Sequence, residues 1–119
     1  MRFSIRVASI AAALIALGCM AVPALASRSH VTAKAVTVTA TEFKFKLSTA
    51  SVPHGPVTFT VVNKGKIPHD FKIAGKKTPL LGPGKSVKLT VALRAGKYPY
   101  LCTVAGHANL GMKGVVTAK

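Results

Sequence analysis

Short runs in which apolar and polar residues alternate with a period of two recur along this chain, each bounded by turn-forming residues. Val36-Thr37-Val38-Thr39, Phe43-Lys44-Phe45-Lys46-Leu47, Val57-Thr58-Phe59-Thr60-Val61, Phe71-Lys72-Ile73 and Val87-Lys88-Leu89-Thr90-Val91 all follow it. Alternation of this kind sends every second side chain to the same face, so each run reads as a half-buried strand. Turn chemistry separates them at Pro53-His54-Gly55-Pro56, Asn63-Lys64-Gly65-Lys66, Gly75, Gly82-Pro83-Gly84 and Ala95-Gly96. Lys97 to Leu101 and Met112 to Ala118 complete the set. About seven or eight short strands, with no helical periodicity beyond the N-terminal segment, imply an all-β antiparallel sandwich or barrel.

The N-terminal segment is of another kind. Arg2 and Arg6 precede an apolar run from Val7, and Ala24-Leu25-Ala26 supplies the small-x-small pattern of a signal-peptidase site. The expectation is a signal peptide over residues 1–26, a polar linker over 27–34 and one domain over 35–119. Two other outcomes stay open at this level: lipidation at Cys19, or retention of Val7 to Ala26 as a membrane anchor, since about 20 apolar residues span a bilayer. All three place the domain outside the cytoplasm, in the periplasm, secreted or membrane-attached.

Of the 17 Lys and Arg residues two lie in the leader, leaving 15 against only Glu42 and Asp70, a formal net charge of +13 for the exported part. Such a field favours an acidic protein partner or an anionic membrane surface. Export argues against nucleic acid, as do lysines scattered among strands and turns without a basic helix or arm. Past the leader, Cys102 is the single cysteine, so a domain of a size often stapled by disulfides has none within itself.

The neighbours of Cys102 suggest why. Cys102-Thr-Val-Ala-Gly-His107-Ala-Asn-Leu-Gly-Met112 spaces a thiolate, an imidazole and a thioether four residues apart and four again, in a loop between two strands. Soft sulfur suits Cu(I), while imidazole and thiolate also accept Cu(II), so the set points to copper, although zinc would take the same donors. A trigonal site needs a second imidazole. His69 is the candidate, because Lys66-Ile67-Pro68-His69-Asp70-Phe71 carries it from a proline turn into a strand. His30 in the linker and His54 in a Pro-Gly turn read as solvated side chains. Met112 has a second reading as a core residue.

Tyr100-x-Cys102-x4-His107-x4-Met112-x-Gly114, preceded by Asn63-x-Gly65-x2-Pro68-His69, resembles the cupredoxin family of blue copper proteins, to which plastocyanin, azurin and amicyanin belong. The two four-residue gaps are most similar to auracyanin, rusticyanin and sulfocyanin. The resemblance runs from about Val36 to Lys119 and implies a Greek-key β-sandwich. It further implies one type 1 copper, with His69, Cys102 and His107 as equatorial ligands and Met112 as the weak axial one.

By the same resemblance the chain is a single-electron carrier and not an enzyme, a monomer whose His107 edge meets its redox partner. The partner expected is an acidic protein such as a cytochrome or oxidase domain. A copper oxidase or nitrite reductase couples its cysteine to a second centre through an adjacent histidine, whereas Cys102 is flanked by Leu101 and Thr103. The alternative is a copper carrier or sensor without electron transfer, although past the leader only Met112 remains of the methionines such proteins cluster. Asp70 departs from the Asn often found in relatives, which bridges to the residue after the cysteine. The expectation is that the Asp70 carboxylate accepts a hydrogen bond from Thr103. The competing reading turns Asp70 outward to pair with Lys66.

Overall fold

The computed structural model describes residues 31–119 together with Ala13, Ile15, Ala16, Gly18, Met20, Ala21 and Pro23. The proposed cleavage motif, Cys19 and His30 lie outside the described residues. No helix among those described is long and apolar enough to cross a membrane.

Among the described residues nine strands form: β1 (Lys34–Thr41), β2 (Lys44–Leu47), β3 (Ser51–Val52), β4 (Gly55–Asn63), β5 (Lys72–Ile73), β6 (Lys76–Lys77), β7 (Ser86–Leu93), β8 (Gly96–Leu101) and β9 (Lys113–Ala118). Every alternating run of the sequence becomes a strand. The two extra strands, β3 and β6, have two residues each, too few for a period of two to be visible. β1 begins at Lys34, at the end of the stretch expected to be linker.

The strands make two sheets, in the orders β2-β1-β4-β7 and β3-β9-β8-β5-β6. Both are mixed, which corrects the antiparallel expectation. β1 runs parallel to β4, with Val38 opposite Val61, and β3 runs parallel to β9, with Ser51 opposite Thr117. Pairing direction depends on how distant segments cross over, and alternation within a run carries no trace of it.

Burial follows the alternation. Val36, Val38 and Ala40 of β1, Val57, Phe59 and Val61 of β4, and Val91 and Leu93 of β7 face inward. Ile73, Tyr100, Val116 and Ala118 meet them from the other sheet. Phe71 lies between the layers and contacts Phe45, Phe59 and Tyr100, with ring centroids 5.3 to 5.4 Å apart. Phe59 and Phe71 are both fully buried, and truncating either to Ala would cost about 3–5 kcal/mol.

The same period governs the end of the sandwich where the candidate site lies. Along β8, Tyr98, Tyr100 and then Cys102 turn inward, while Met112, Val116 and Ala118 do so along β9. Cys102 and Met112 are thus inward positions carried just past the ends of paired strands. With Ala40 they form a small second core cluster, packed against Phe43, Phe45 and Val104. Tyr100 stands opposite Gly114, and a Cβ on Gly114 would lie 2.3 Å from the Tyr100 hydroxyl. This explains the glycine two residues after Met112.

Candidate metal centre

Three connections converge at this end: the β1–β2 turn, the segment from β4 to β5, and the loop from β8 to β9. The second begins from a buried polar residue. Asn63 continues the inward series Val57, Phe59, Val61 and is completely buried, so its amide must find partners within the protein. Its Nδ2 donates to the carbonyls of Ile67 at 2.9 Å and Leu81 at 2.8 Å, and its Oδ1 accepts the Gly65 N–H at 2.8 Å. These bonds fold residues 63–68 into a turn that delivers His69. The backbone of His69 then exchanges two hydrogen bonds with Leu81, at 3.0 and 2.8 Å, which hold it in an isolated bridge.

The loop from β8 to β9 closes on itself. Cys102 N–H donates to Met112 C=O at 3.0 Å, Met112 N–H to His107 C=O at 3.2 Å, and His107 N–H to Val104 C=O at 3.1 Å. A 3₁₀ turn over Ala108–Leu110 ends at Gly111, whose φ of 117° is a conformation that favours glycine. The two gaps of four residues are the lengths of these closed turns.

The structure brings His69, Cys102 and His107 together. One donor atom from each lies within 4.8 Å of the others, and all three residues are buried. The two Nδ1 atoms are 3.2 Å apart, and Cys102 Sγ is 3.6 Å from His107 Nδ1. Met112, completely buried, packs beside Cys102 in the small cluster. Phe43 meets the His107 ring edge-to-face with centroids 5.0 Å apart. His54 is exposed and bonds the Lys119 carbonyl through Nδ1 at 2.7 Å, well away from this cluster. Burial pushes the Cys102 thiol above its usual range, which hydrogen bonds from the backbone N–H groups of Asp70 and Val104 only partly offset.

Both acidic residues of the domain sit here. Asp70, nearly buried, accepts the Thr103 N–H on Oδ1 at 2.6 Å and the Thr103 hydroxyl on Oδ2. The contact anticipated from the sequence is present, and it ties two segments 33 residues apart. Glu42, in the β1–β2 turn, was not singled out by sequence reasoning. Its Oε1 accepts the N–H groups of Lys66 at 2.6 Å and Ile67 at 3.1 Å and lies 3.3 Å from His69 Nε2. The Lys66 N–H above all, helped by that of Ile67 and opposed by partial desolvation, lowers its carboxyl to about 2. The available signal was scarcity, since two acids among so many lysines call for an explanation.

The chemistry of the donor set fits a thiophilic transition metal. A thiol and two imidazole nitrogens converge in one buried space with Met112 packed beside the cysteine, and the far nitrogen of one imidazole is already engaged by a carboxylate.

No curated protein matches the chain by sequence. In fold it is similar to Na-dithionite reduced auracyanin from the photosynthetic bacterium Roseiflexus castenholzii, at 24% identity over 74% of this chain and 98% of that one, with a TM-score of 0.63. It is similar also to the azurin Az-iso2 of the obligate methylotroph Methylomonas sp. strain J, at 18% identity over 74% and 99%, with a TM-score of 0.59. A Cu-containing nitrite reductase from Thermus scotoductus matches 74% of this chain with 28% of its own length, at 18% identity and a TM-score of 0.59. The cupredoxin-like domain family matches residues 10–118. With a two-sheet β-sandwich that carries a His, Cys and His cluster at one end, the chain belongs to the cupredoxin family.

Proposed function

We propose that the protein is an extracytoplasmic single-electron carrier with one type 1 copper held by His69, Cys102 and His107, and weakly by Met112. The observation that carries this reading is the convergence of one thiol and two imidazole donors within 4.8 Å in a buried setting. When bound, copper supplies a one-electron Cu(I)/Cu(II) couple.

The protein's part is to keep the donors where they are in both states. His69 is fixed through its backbone to Leu81, and Cys102 through Met112. Asp70 locks the His69 segment to Thr103. A cage held from three sides rearranges little, which favours fast exchange. His107, 8% exposed against 1% for the other two donors, is where a partner comes nearest. Leu110, in the same loop as His107, and Ile67, two residues before His69, are exposed apolar residues, 62% and 37% accessible, suited to brief contact. Burial of the donors also speaks against a labile metal carrier. Catalysis of the nitrite reductase kind lacks support at Cys102, which has Leu101 and Thr103 beside it in place of a histidine.

The lysines support an acidic partner. Lys113 is paired with Leu101, Leu101 with Lys72, and Lys72 with Lys77. Cross-strand partners share a face, so three exposed ammonium groups flank Leu101 on the outside of the sheet, one residue from Cys102. Like charges set opposite one another are relieved by an anionic surface. In this reading residues 1–26 are the removed leader, and the residues between it and β1 a linker.

Absorption and electron paramagnetic resonance spectra of the copper-reconstituted protein test the proposal. An intense blue band is expected in the oxidised protein and should vanish in Cys102→Ser, because the transition requires the sulfur. A colourless wild type, or a blue serine variant, overturns the assignment.

A further inference from the structure

The β1–β2 turn contributes nothing to the donor set, yet it sends a carboxylate across the end of the sandwich to the segment that carries His69. Glu42 follows inward-facing Val38 and Ala40 in the same alternation, and its Oε1 is the meeting point of three donors from residues 24 to 27 positions away. The backbone makes room for it. A Cβ on Gly65 would stand 2.3 Å from Oε1, so only glycine there admits the carboxylate. The contact orders the imidazole as well as the loop. A carboxylate is acceptor-only, so the proton it holds on His69 must be on Nε2. That leaves the lone pair of His69 Nδ1 facing His107 Nδ1 and Cys102.

We propose that Glu42 is the positioning residue of the metal centre: it clamps the Lys66–His69 segment and selects the His69 tautomer whose Nδ1 is free to bind metal. The inference rests on the metal-site reading for its purpose, while its structural part stands on the metal-free protein. The free energy of choosing the tautomer is met on folding, so the ligand meets its metal already oriented. Carboxylate partners of this type typically change metal affinity 10–100-fold when removed. Gly65 is the other half of the device, because a side chain there displaces the carboxylate without altering any donor.

The test uses two readouts on the full domain. The first is the imidazole nitrogen NMR shifts of the metal-free protein at neutral pH, which report the His69 tautomer directly. The second is affinity for Co(II), a probe that takes the same donors without oxidising the thiol. Wild type should show His69 protonated on Nε2. Glu42→Ala should give a mixture of tautomers and a Co(II) affinity lower by about 10- to 100-fold. Gly65→Ala should reproduce both effects with Glu42 intact, and Glu42→Gln, whose amide oxygen still accepts, should keep most of the tautomer preference. Folding of each variant is read from the dispersion of the same spectra. If Glu42→Ala perturbs folding, Gly65→Ala carries the test. A His69 protonated on Nδ1 in wild type, or unchanged tautomer and affinity in both alanine variants, overturns the proposal. Failure of the wild type to bind Co(II) or copper would instead sink the metal-site reading, with the tautomer experiment still deciding the role of Glu42.

Discussion

Removing Asp70 separates its structural effect from its electrostatic one. The carboxylate is 4% exposed and receives both the N–H and the hydroxyl of Thr103, so it staples the His69 segment to the Cys102 loop. Hydrogen bonds to a charged group contribute about 1.5–3 kcal/mol each when buried. Thr103 is itself exposed, so water recovers part of that after truncation. Asp70→Ala should therefore cost about 2 kcal/mol, or roughly 8–16 °C in Tm for a domain of this size. Asp70→Asn keeps an oxygen for the Thr103 N–H and lets the hydroxyl rotate to accept, so its loss should stay under about 1 kcal/mol. Thermal unfolding of the metal-free domain measures both without ligand binding adding to the stability. The charge acts separately. Taking a separation of about 10 Å for scale, a unit charge interacts by about 1.7 kcal/mol at an effective dielectric near 20, which for a one-electron couple is on the order of several tens of millivolts. A negative charge favours Cu(II), so Asp70→Asn should raise the potential by up to that much while the blue band stays. If Asp70→Ala unfolds within a degree or two of wild type, the bridge contributes no stability. If Asp70→Asn leaves the potential unchanged in voltammetry, the carboxylate exerts no field on the metal.

Other expected outcomes follow from single features. Met112→Gln should retain copper with a lower potential, because an oxygen donor favours Cu(II) over a thioether; an unchanged potential would leave Met112 as a core residue. Glu42 ionises at about 2 in the folded protein against an ordinary 4.5. Its contribution to stability is thus present above the unfolded value and lost as pH falls through 4.5 toward 2. The Tm gap between wild type and Glu42→Gln should accordingly narrow over that range, and a constant gap would contradict the hydrogen bonding described for it. Electron exchange with hexacyanoferrate should slow as ionic strength rises to physiological, where the screening length is about 8 Å; a rate indifferent to salt would reduce the lysines to solubilising groups.

Much of the architecture was legible because it is written locally. Period-two alternation is a property of consecutive residues, so it located the strands, while the inward placing of Cys102 and Met112 just past their ends became visible only in the structure. The candidate donors were legible for a related reason. Cys102, His107 and Met112 lie within one short loop whose turns fix their separation, and His69 was the one remaining histidine placed between a proline turn and a strand. The Asp70–Thr103 bond was reached through family resemblance, and the structure supplies its two-pronged form.

What the tertiary structure alone decided is whatever depends on segments far apart in the chain. The parallel pairing of β1 with β4 depends on the route of the crossover, which leaves no mark on either strand's alternation. Asn63 looked like a turn residue, and only the burial of its alternation series showed that its amide organises the turn before His69. Glu42 gave no local sign, being one polar residue between two alternating runs. Its partners are 24 to 27 residues away, and the space left by Gly65 exists only once the two segments have met. Side-chain type and local periodicity determine which groups can act as donors and which way they face. Long-range packing determines which of them meet, and therefore which of two acids in a sea of lysines orients a histidine.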